Sequence, residues 1–162
     1  MRLGIISDTH GLLRPEVFDV FGKVDRILHA GDVGNPDILE ELSALAPVTA
    51  VSGNVDGADL RRRAPEVADV MIDGFRFVVT HGHRLGSPTP QNLRGMWPDA
   101  DVIVYGHTHK ALIHDFPDFA VAINPGSAGP RRFKDPVTVA IMETEPGIPP
   151  RARIVPLLPE GA

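Results

Sequence analysis

Short apolar runs in this chain end, one after another, in residues that bind metal ions. The runs at 3–6, 26–30, 48–51, 77–79 and 102–105 have the length of buried strands. Loops that follow the carboxyl ends of strands meet at one edge of an open α/β sheet, and ligands bind there. The sequence therefore predicts one metal site built from five separate loops. Those loops contain Asp8-Thr9-His10, Gly31-Asp32, Gly53-Asn54, His81-Gly82-His83 and Gly106-His107-Thr108-His109.

The composition is that of a globular protein, and we expect residues 1–162 to form a single domain. Hydrophobic residues make up 43% of the chain, and no apolar run reaches the roughly 18 residues that a membrane span needs. Asp8 also interrupts the N-terminal apolar run before it could act as a secretory signal. These observations predict a cytoplasmic protein that does not bind membranes. Because the chain has no cysteine, any metal must rest on nitrogen and oxygen ligands.

The charge balance argues against a general nucleic-acid-binding protein. The formal net charge is −5 at pH 7 with histidine neutral. Two basic runs, Arg61-Arg62-Arg63 and Arg131-Arg132-Phe133-Lys134, could still meet phosphate. A solvated charged face is the more ordinary explanation of each run.

Strand and helix signals alternate in the first half of the chain, and strand signals dominate the second half. Pro15 opens a helix, and Asn35 followed by Pro36 has the pattern of an N-cap and a first helical residue. The resulting βαβαβ order predicts a parallel sheet. Asp73-Gly74 is typical of a β-hairpin turn. Strands are predicted at 3–7, 26–30, 48–51, 67–72, 75–80, 101–105, 111–116, 119–123, 137–143 and 153–157, a third helix at 90–97, and a proline-rich loop at 146–150.

The side chains of the five loops suit a catalytic transition-metal or manganese site. Carboxylate and amide oxygens bind hard cations, whereas imidazole suits zinc, iron, nickel and cobalt, so a mixed set does not select one metal. Seven ligands exceed the three of an ordinary catalytic zinc site and suggest two metals that share a carboxylate. Such a pair clamps the attacking and leaving oxygens of a displacement at phosphorus. The candidate ligands are Asp8, His10, Asp32, Asn54, His81, His107 and His109.

Taken singly, most of these segments have an ordinary structural explanation. Asp-Thr-His after a strand is common turn or helix-cap chemistry, and glycine beside Asp or Asn is common in turns. The segment at 106–109 is more specific, because two histidines at i and i+2 on a loop can reach neighbouring metals. Five of the seven histidines lie in these loops. This clustering, together with the order of the segments, favours the metal site.

The ordered segments resemble those of calcineurin-like metallophosphoesterases. The similarity is to the short bacterial and archaeal phosphodiesterase branch, which also resembles the retromer subunit Vps29. It covers residues 8–127 and ends with Asn124-Pro125-Gly126-Ser127. The resemblance implies a four-layer α/β/β/α sandwich of two packed mixed β-sheets. It also implies one metal held by Asp8, His10, Asp32 and His109, and another held by Asp32, Asn54, His81 and His107.

By the same resemblance, Asp32 bridges the two metals and a hydroxide shared by them attacks phosphorus. The implied cofactors are two divalent transition-metal ions, with manganese favoured and zinc, nickel, cobalt or iron as alternatives. The implied function is hydrolysis of small or activated phosphate esters, above all phosphodiesters. The alternative is a catalytically weak, Vps29-like protein-binding scaffold. A DNA nuclease of the same superfamily would need a basic groove and a capping domain, and the sequence shows neither. Formation of a homodimer is left open.

Two segments depart from patterns within that family. Val33-Gly34-Asn35 follows Gly31-Asp32, where the protein serine/threonine phosphatases have an acidic and basic pair, so a protein phosphatase is not expected. Many members carry a histidine directly after the Asn ligand as a general acid, and this chain has Val55. Because valine cannot donate a proton, protonation of the leaving oxygen would fall to water or to His83. The expected catalytic residues are Asp32, Asn54 and His83.

Residues next to the loops carry lesser expectations. His29 is expected as a buried partner rather than a ligand, and His114 on an exposed strand. Asp56 could cap the next turn, and the turn at 124–127 could brace the histidine loop. Arg14 and Arg84 lie beside the loops and could bind phosphate.

Overall fold

Ten strands and four α-helices are present in the computed structural model, which describes residues 1–159. The strands are β1 (Arg2–Ile6), β2 (Arg26–His29), β3 (Val48–Ala50), β4 (Val67–Ile72), β5 (Phe75–Thr80), β6 (Val102–Val104), β7 (Leu112–Asp115), β8 (Val121–Asn124), β9 (Thr138–Glu145) and β10 (Ile148–Pro156). The helices are α1 (Pro15–Phe21), α2 (Pro36–Ser43), α3 (Ala58–Arg63) and α4 (Pro90–Met96). Residues 160–162 of the predicted domain lie outside the described part.

Three helices begin at the residues that the sequence predicts, because each start has a proline at its first position. Pro15, Pro36 and Pro90 open α1, α2 and α4. The Asn35 side chain accepts a hydrogen bond from the Asp37 amide at 2.9 Å, as predicted for an N-cap. Thr89 and Asn92 form a reciprocal capping box at the start of α4.

The strands form two mixed five-stranded sheets. The first has the order β10-β9-β1-β2-β3, and the second has the order β4-β5-β6-β8-β7. Strands β1, β2 and β3 are parallel, which confirms the parallel sheet predicted from the βαβαβ pattern. Strands β4 and β5 form the predicted antiparallel hairpin around Asp73-Gly74. The parallel strands β5, β6 and β8 form the centre of the second sheet.

Three apolar clusters separate four layers and confirm the α/β/β/α sandwich. The middle cluster contains side chains from both sheets, such as Ile5 and Leu28 of the first and Phe77 and Val104 of the second. The outer face of the first sheet packs against α1 and α2, and the outer face of the second packs against α4. Because the middle cluster joins the two sheets, we propose that the chain forms one domain.

The predicted loop at 146–150 is longer than the observed one, which is confined to Pro146 and Gly147. Strands β9 and β10 form a hairpin, and β10 already begins at Ile148. The prolines are tolerated because β10 is an edge strand and its register shifts between Ile148 and Arg151. Helix α3 was not predicted, because its six residues bury only Leu60 and therefore show no helical period. Its Arg61, Arg62 and Arg63 are exposed, as expected for a solvated face.

The loops at the carboxyl ends of the strands are held in an unusual backbone conformation. Five of the seven candidate metal ligands have a positive φ, although none is glycine. A left-handed conformation costs an L-residue about 1–2 kcal/mol, so strain is concentrated at this edge of the sheets. The five are Asp8 at 55°, His10 at 47°, Asp32 at 52°, His107 at 72° and His109 at 60°.

This strain predicts a reversal of the usual ranking of alanine and glycine at position 109. Both His109→Ala and His109→Gly remove the imidazole, but only glycine adopts the positive φ freely. We expect the glycine variant to be more stable by about 1 kcal/mol in chelator-treated protein. Denaturant unfolding of the two variants measures the difference.

Gly95 is the control, because it lies inside α4, has no positive φ, and no atom lies within 4 Å of a Cβ built there. Gly95→Ala should therefore stabilise the protein. Equal stability of the two position-109 variants, or a more stable alanine variant, would contradict the assignment of strain.

Candidate metal centre

Six of the seven candidate ligands lie in two groups of three at the edge where the strands end. Asp8, His10 and His109 form the first group, and Asp32, His81 and His107 form the second. Within each group, one potential ligand atom of every residue lies within 4.8 Å of the others. The first group joins residues of two loops and the second joins residues of three, so the fold brings distant segments together as the strand order predicts.

Asn54, the seventh candidate, lies beside the second group. Its Oδ1 is 3.2 Å from His107 Nδ1. The side chain is exposed, unlike those of Asp32 and His81, which are buried. An amide oxygen next to the second group can serve a hard or borderline cation.

The Asp32 carboxylate faces both groups. Its Oδ2 is 3.1 Å from His81 Nε2 and 3.8 Å from His10 Nε2. Its other oxygen, Oδ1, accepts a hydrogen bond from the Val55 amide at 3.0 Å. This bond fixes the carboxylate so that one oxygen is turned to both histidines, which is the geometry that a bridging ligand requires.

The Asp8 carboxylate is divided in the same way. Its Oδ2 accepts a hydrogen bond from the Ser7 hydroxyl at 2.6 Å and another from the His107 amide at 3.2 Å. Its Oδ1 lies 3.1 Å from His109 Nε2 and 3.6 Å from His10 Nε2. Ser7 therefore orients the Asp8 carboxylate, a role that was not predicted. Its position directly after β1 and directly before Asp8 was a usable signal.

Hydrogen bonding fixes the tautomer of His81. Its Nδ1 lies 2.8 Å from the Ala30 carbonyl oxygen, which can only accept, so Nδ1 carries the proton. In the neutral ring Nε2 therefore presents a lone pair to the Asp32 oxygen at 3.1 Å. A carbonyl behind a histidine orients many metal-binding imidazoles in this manner.

Two buried polar atoms of the site receive no hydrogen bond of good geometry within residues 1–159, although each has an oppositely polarised neighbour at 3.1 Å. These are Asp8 Oδ1 and His81 Nε2, one in each group. A buried polar atom without a partner costs about 1–3 kcal/mol. The Nε2 atoms of His10 and His109 also face one another at 3.2 Å. A cation in each group would satisfy these atoms, so the residues present fit a pair of divalent metals.

The acidic groups of the site are ionised at neutral pH. Burial alone would raise the pKa of Asp8, but His10 and His109 hold that pKa well below its usual range. Burial would likewise raise the pKa of Asp32, and the His81 side chain reverses the shift. Burial would lower the pKa of His81, and Asp32 raises it instead. The site is therefore a negatively charged region lined with imidazoles.

Asp56 ties two of the loops together. Its buried carboxylate accepts hydrogen bonds from the Gly53 amide at 2.8 Å, the Gly34 amide at 2.9 Å and the Val33 amide at 3.2 Å. The expectation that Asp56 caps the next turn is wrong, since its partners are amides of earlier residues and its side chain fixes the Asp32 loop against the Asn54 loop. The function was missed because Val33 and Gly34 are distant in sequence.

Neighbouring polar residues brace the other loops. Asn124 donates hydrogen bonds to the Gly106 carbonyl at 3.2 Å and to the Thr108 hydroxyl at 3.0 Å, as expected of a residue supporting the histidine loop. His29 is fully buried between Thr9 Oγ1 and the Gly31 amide, also as expected. Burial lowers its pKa to about 4, so the ring is neutral and can accept from that amide.

Close packing at two glycines lets the loops approach one another. A Cβ at Gly53 would lie 2.1 Å from Asp32 Oδ1, and a Cβ at Gly106 would lie 2.2 Å from Ser7 Oγ. Any larger residue at either position would displace a carboxylate of the site or the hydroxyl that orients it. The glycines of the Gly-Asn and Gly-His segments are therefore required for the ligands to meet.

Val55 and His83 lie at the rim of the site. The Val55 side chain is 54% exposed, so it does not pack in the core. As an alkyl group it cannot donate a proton. The His83 ring is 5.5 Å from the His81 ring and 6.4 Å from the His107 ring, measured between centroids. Burial, together with nearby His81, lowers the pKa of His83.

The remaining lesser expectations have mixed outcomes. Both predicted phosphate-binding arginines already have partners, since Arg14 donates to the Gly129 carbonyl and Arg84 pairs with Glu66. His114 lies on strand β7 as expected, but it is only partly exposed because its ring packs against Phe116.

Comparison with known proteins identifies the family. The profile of the calcineurin-like phosphoesterase superfamily domain matches residues 1–147. A probable metallophosphoesterase from Methanothermobacter thermautotrophicus is 42% identical over 148 residues, which cover 87% of this chain and 85% of that protein. The solved structure of an archaeal phosphodiesterase is 28% identical, with a TM-score of 0.75 and coverage of 96% and 100%.

Vps29 from Cryptosporidium parvum has a similar fold. Its structure has a TM-score of 0.79 at 21% identity, and the match covers 95% of this chain and 96% of that one. No helix within residues 1–159 has the length and hydropathy required to cross a bilayer. The profile match over residues 1–147 contains every candidate ligand, and it shows that the chain belongs to the calcineurin-like phosphoesterase superfamily.

Proposed function

We propose that the protein is a metal-dependent phosphodiesterase that hydrolyses small or activated phosphate esters with two divalent ions. The observation that carries the proposal is the Asp32 carboxylate, because a single oxygen faces a histidine of each ligand group. The probable metallophosphoesterase and the archaeal phosphodiesterase among its relatives support the same reaction class.

Each group would hold one metal. Asp8, His10 and His109 would bind the first, while Asn54, His81 and His107 would bind the second, with Asp32 shared between them. When bound, two such ions lower the pKa of water and withdraw charge from the phosphoryl oxygens. Manganese is the favoured metal, and zinc, nickel, cobalt and iron also suit the mixed donor set.

The chain itself supplies orientation and a candidate proton donor. The Val55 amide, the Ser7 hydroxyl and the Ala30 carbonyl hold three ligands in fixed directions. In hydrolysis, water loses a proton and its oxygen forms a bond to phosphorus, while the bond to the leaving oxygen breaks and that oxygen takes up a proton. We propose His83 as the group that assists this protonation, since it lies beside His81 and no histidine occupies position 55.

A protein-binding scaffold is the second candidate function, and the fold similarity to Vps29 favours it. The two candidates differ in what the ligand residues must do. A scaffold needs only the fold, whereas a phosphodiesterase needs all seven side chains in place. Metal content and turnover therefore distinguish a phosphodiesterase from a scaffold.

Metal content is the first test. The purified protein should bind two ions per chain after loading with manganese, zinc, nickel or cobalt. Asp32→Ala should lower occupancy at both positions, whereas His10→Ala should mainly weaken the first, because only a bridging ligand serves both metals. Elemental analysis and calorimetric titration measure the stoichiometry.

Asp59→Ala is the matched control for Asp32→Ala, because Asp59 is exposed on α3 and pairs with Arg62. It should leave the metal content unchanged. A native protein that binds at most one ion per chain would contradict the two-metal proposal.

Turnover is the second test. The manganese-loaded protein should hydrolyse bis(4-nitrophenyl) phosphate, and a chelator should abolish the activity. Asn54→Ala should lower turnover by about tenfold or more without lowering stability, since this exposed loop ligand contributes little to the core. Release of nitrophenolate and thermal unfolding measure the two effects.

Asn35→Ala provides the opposite control. Loss of the α2 cap should lower stability by about 1 kcal/mol while leaving the turnover of the folded protein unchanged. A loaded protein that hydrolyses no phosphate ester but binds another protein tightly would favour the scaffold.

The third test concerns the missing histidine at position 55. The lowered pKa of His83 makes it a poor proton source at neutral pH, so the rate should depend steeply on the pKa of the leaving group, because the departing oxygen must bear most of its own charge. Val55→His should flatten this dependence and raise turnover of alkyl esters more than of nitrophenyl esters, by at most roughly 10²–10⁴-fold. A series of leaving groups measured for both proteins gives the slopes.

Val55→Gln is the control, because glutamine is similar in size to histidine but has no group that gives up a proton near neutral pH. The Val55 amide that donates to Asp32 belongs to the backbone and persists in both variants. If the native slope is already flat, another group donates the proton, and a slope that steepens in His83→Ala would identify it as His83.

A further inference from the structure

A groove of about 620 Å³ adjoins the metal centre. His107 belongs both to the second ligand group and to the wall of this groove. The groove is therefore continuous with the place where phosphorus would be held. A phosphodiester keeps one organic substituent while it loses the other, so a diesterase must accommodate a second group beside its metals.

The chemistry of the groove wall is predominantly apolar. The groove is lined by Pro88 just before α4, by Pro90 at the start of α4, by Tyr105 after β6 and by Leu112 of β7, and of these four only Leu112 is exposed. Leu112 is 43% exposed, so its apolar surface faces the open groove instead of the core. Such a wall favours a flat or apolar organic group over a small hydrated one.

The wall of the groove also contains a positively charged side chain, Lys110. Lys110 lines the groove and is exposed, and no carboxylate of residues 1–159 lies within ion-pairing distance of it, whereas Arg76, Arg84 and Arg94 all have acidic partners. A neighbouring recess of about 490 Å³ shares Ala111 with the groove and adds Arg131 and Lys134. Positive charge thus continues beyond Ala111, although the chain as a whole is acidic.

We propose that this groove binds the retained substituent of the diester, and that it selects an apolar or aromatic group bearing a further negative charge. The apolar wall takes the body of the substituent, and Lys110 pairs with its anionic group. The proposal rests on the proposed phosphodiesterase activity, because the groove acquires this meaning only beside a site that holds phosphorus. It goes further by naming the part of the substrate that sets specificity.

Three esters with one leaving group test the proposal: methyl, phenyl and 3-carboxyphenyl 4-nitrophenyl phosphate. Because nitrophenolate leaves in each case, differences in KM report the retained substituent. In the native protein, KM should fall by about tenfold from methyl to phenyl, as expected for burying part of a ring. It should fall by a further twofold to fivefold, roughly, for the carboxyphenyl ester, as expected for an exposed ion pair.

Two variants separate the contributions. Lys110→Met should erase the gain from the carboxylate while keeping the preference for phenyl over methyl. Leu112→Ser should reduce the preference for phenyl while keeping the gain from the carboxylate. Lys23→Met, on the exposed surface after α1, is the control and should change neither ratio. An effect confined to kcat would contradict a binding groove.

Binding without turnover distinguishes failure of this proposal from failure of the proposed activity. Dimethylphosphinate, benzyl(methyl)phosphinate and its 3-carboxybenzyl analogue have P–C bonds in place of both ester P–O bonds, so the loaded protein cannot hydrolyse them. The groove is supported, even if no ester is hydrolysed, when calorimetry shows the tightest binding for the 3-carboxybenzyl phosphinate, weaker binding for the benzyl phosphinate and the weakest binding for dimethylphosphinate. If the esters are hydrolysed with equal KM, or the phosphinates bind equally, the groove proposal is overturned whatever the activity.

Discussion

The buried carboxylates of Asp8 and Asp32 impose the strongest constraint on this structure. A carboxylate inside a protein needs partners for both oxygens, because burial opposes its charge. Here one oxygen of each receives protein N–H or O–H donors, and the other is turned towards histidines. Each carboxylate is consequently held between hydrogen-bond donors at one oxygen and imidazoles at the other, and the histidine loop supplies both kinds of group to Asp8.

This division explains why residues far from any reaction are fixed so firmly. Asp56 holds the second and third loops together through three amides, and Asn124 holds the histidine loop through a carbonyl and a hydroxyl. Left-handed backbone at five ligands turns their side chains into one space. The stability of the two packed sheets must offset that strain, so the rigid sandwich and the strained edge depend on each other.

The sequence predicted the parts of the structure that depend on local pattern. Apolar runs located the strands, proline after a capping residue located α2, and the segments that follow the strands located the candidate ligands that the fold brings together. Interactions between distant segments were less accessible. Nothing near Asp56 indicates that its partners are Val33 and Gly34, and nothing near Pro149 indicates that its strand lies at a sheet edge where a missing N–H is harmless. The short α3 buries a single side chain and so left no periodic signal.

The same edge strand has a consequence for how these molecules can meet one another. An open sheet edge recruits strands from other chains through its free N–H and C=O groups. Strand β10 contains Pro149, Pro150 and Pro156, which have no N–H, and exposes Arg151 and Arg153 between them. A second molecule approaching this edge would find few donors and a repelling pair of like charges. The β10 edge of the first sheet is thereby protected from edge-to-edge polymerisation. Any extension of this sheet by a strand of another chain would have to begin at its other edge, β3.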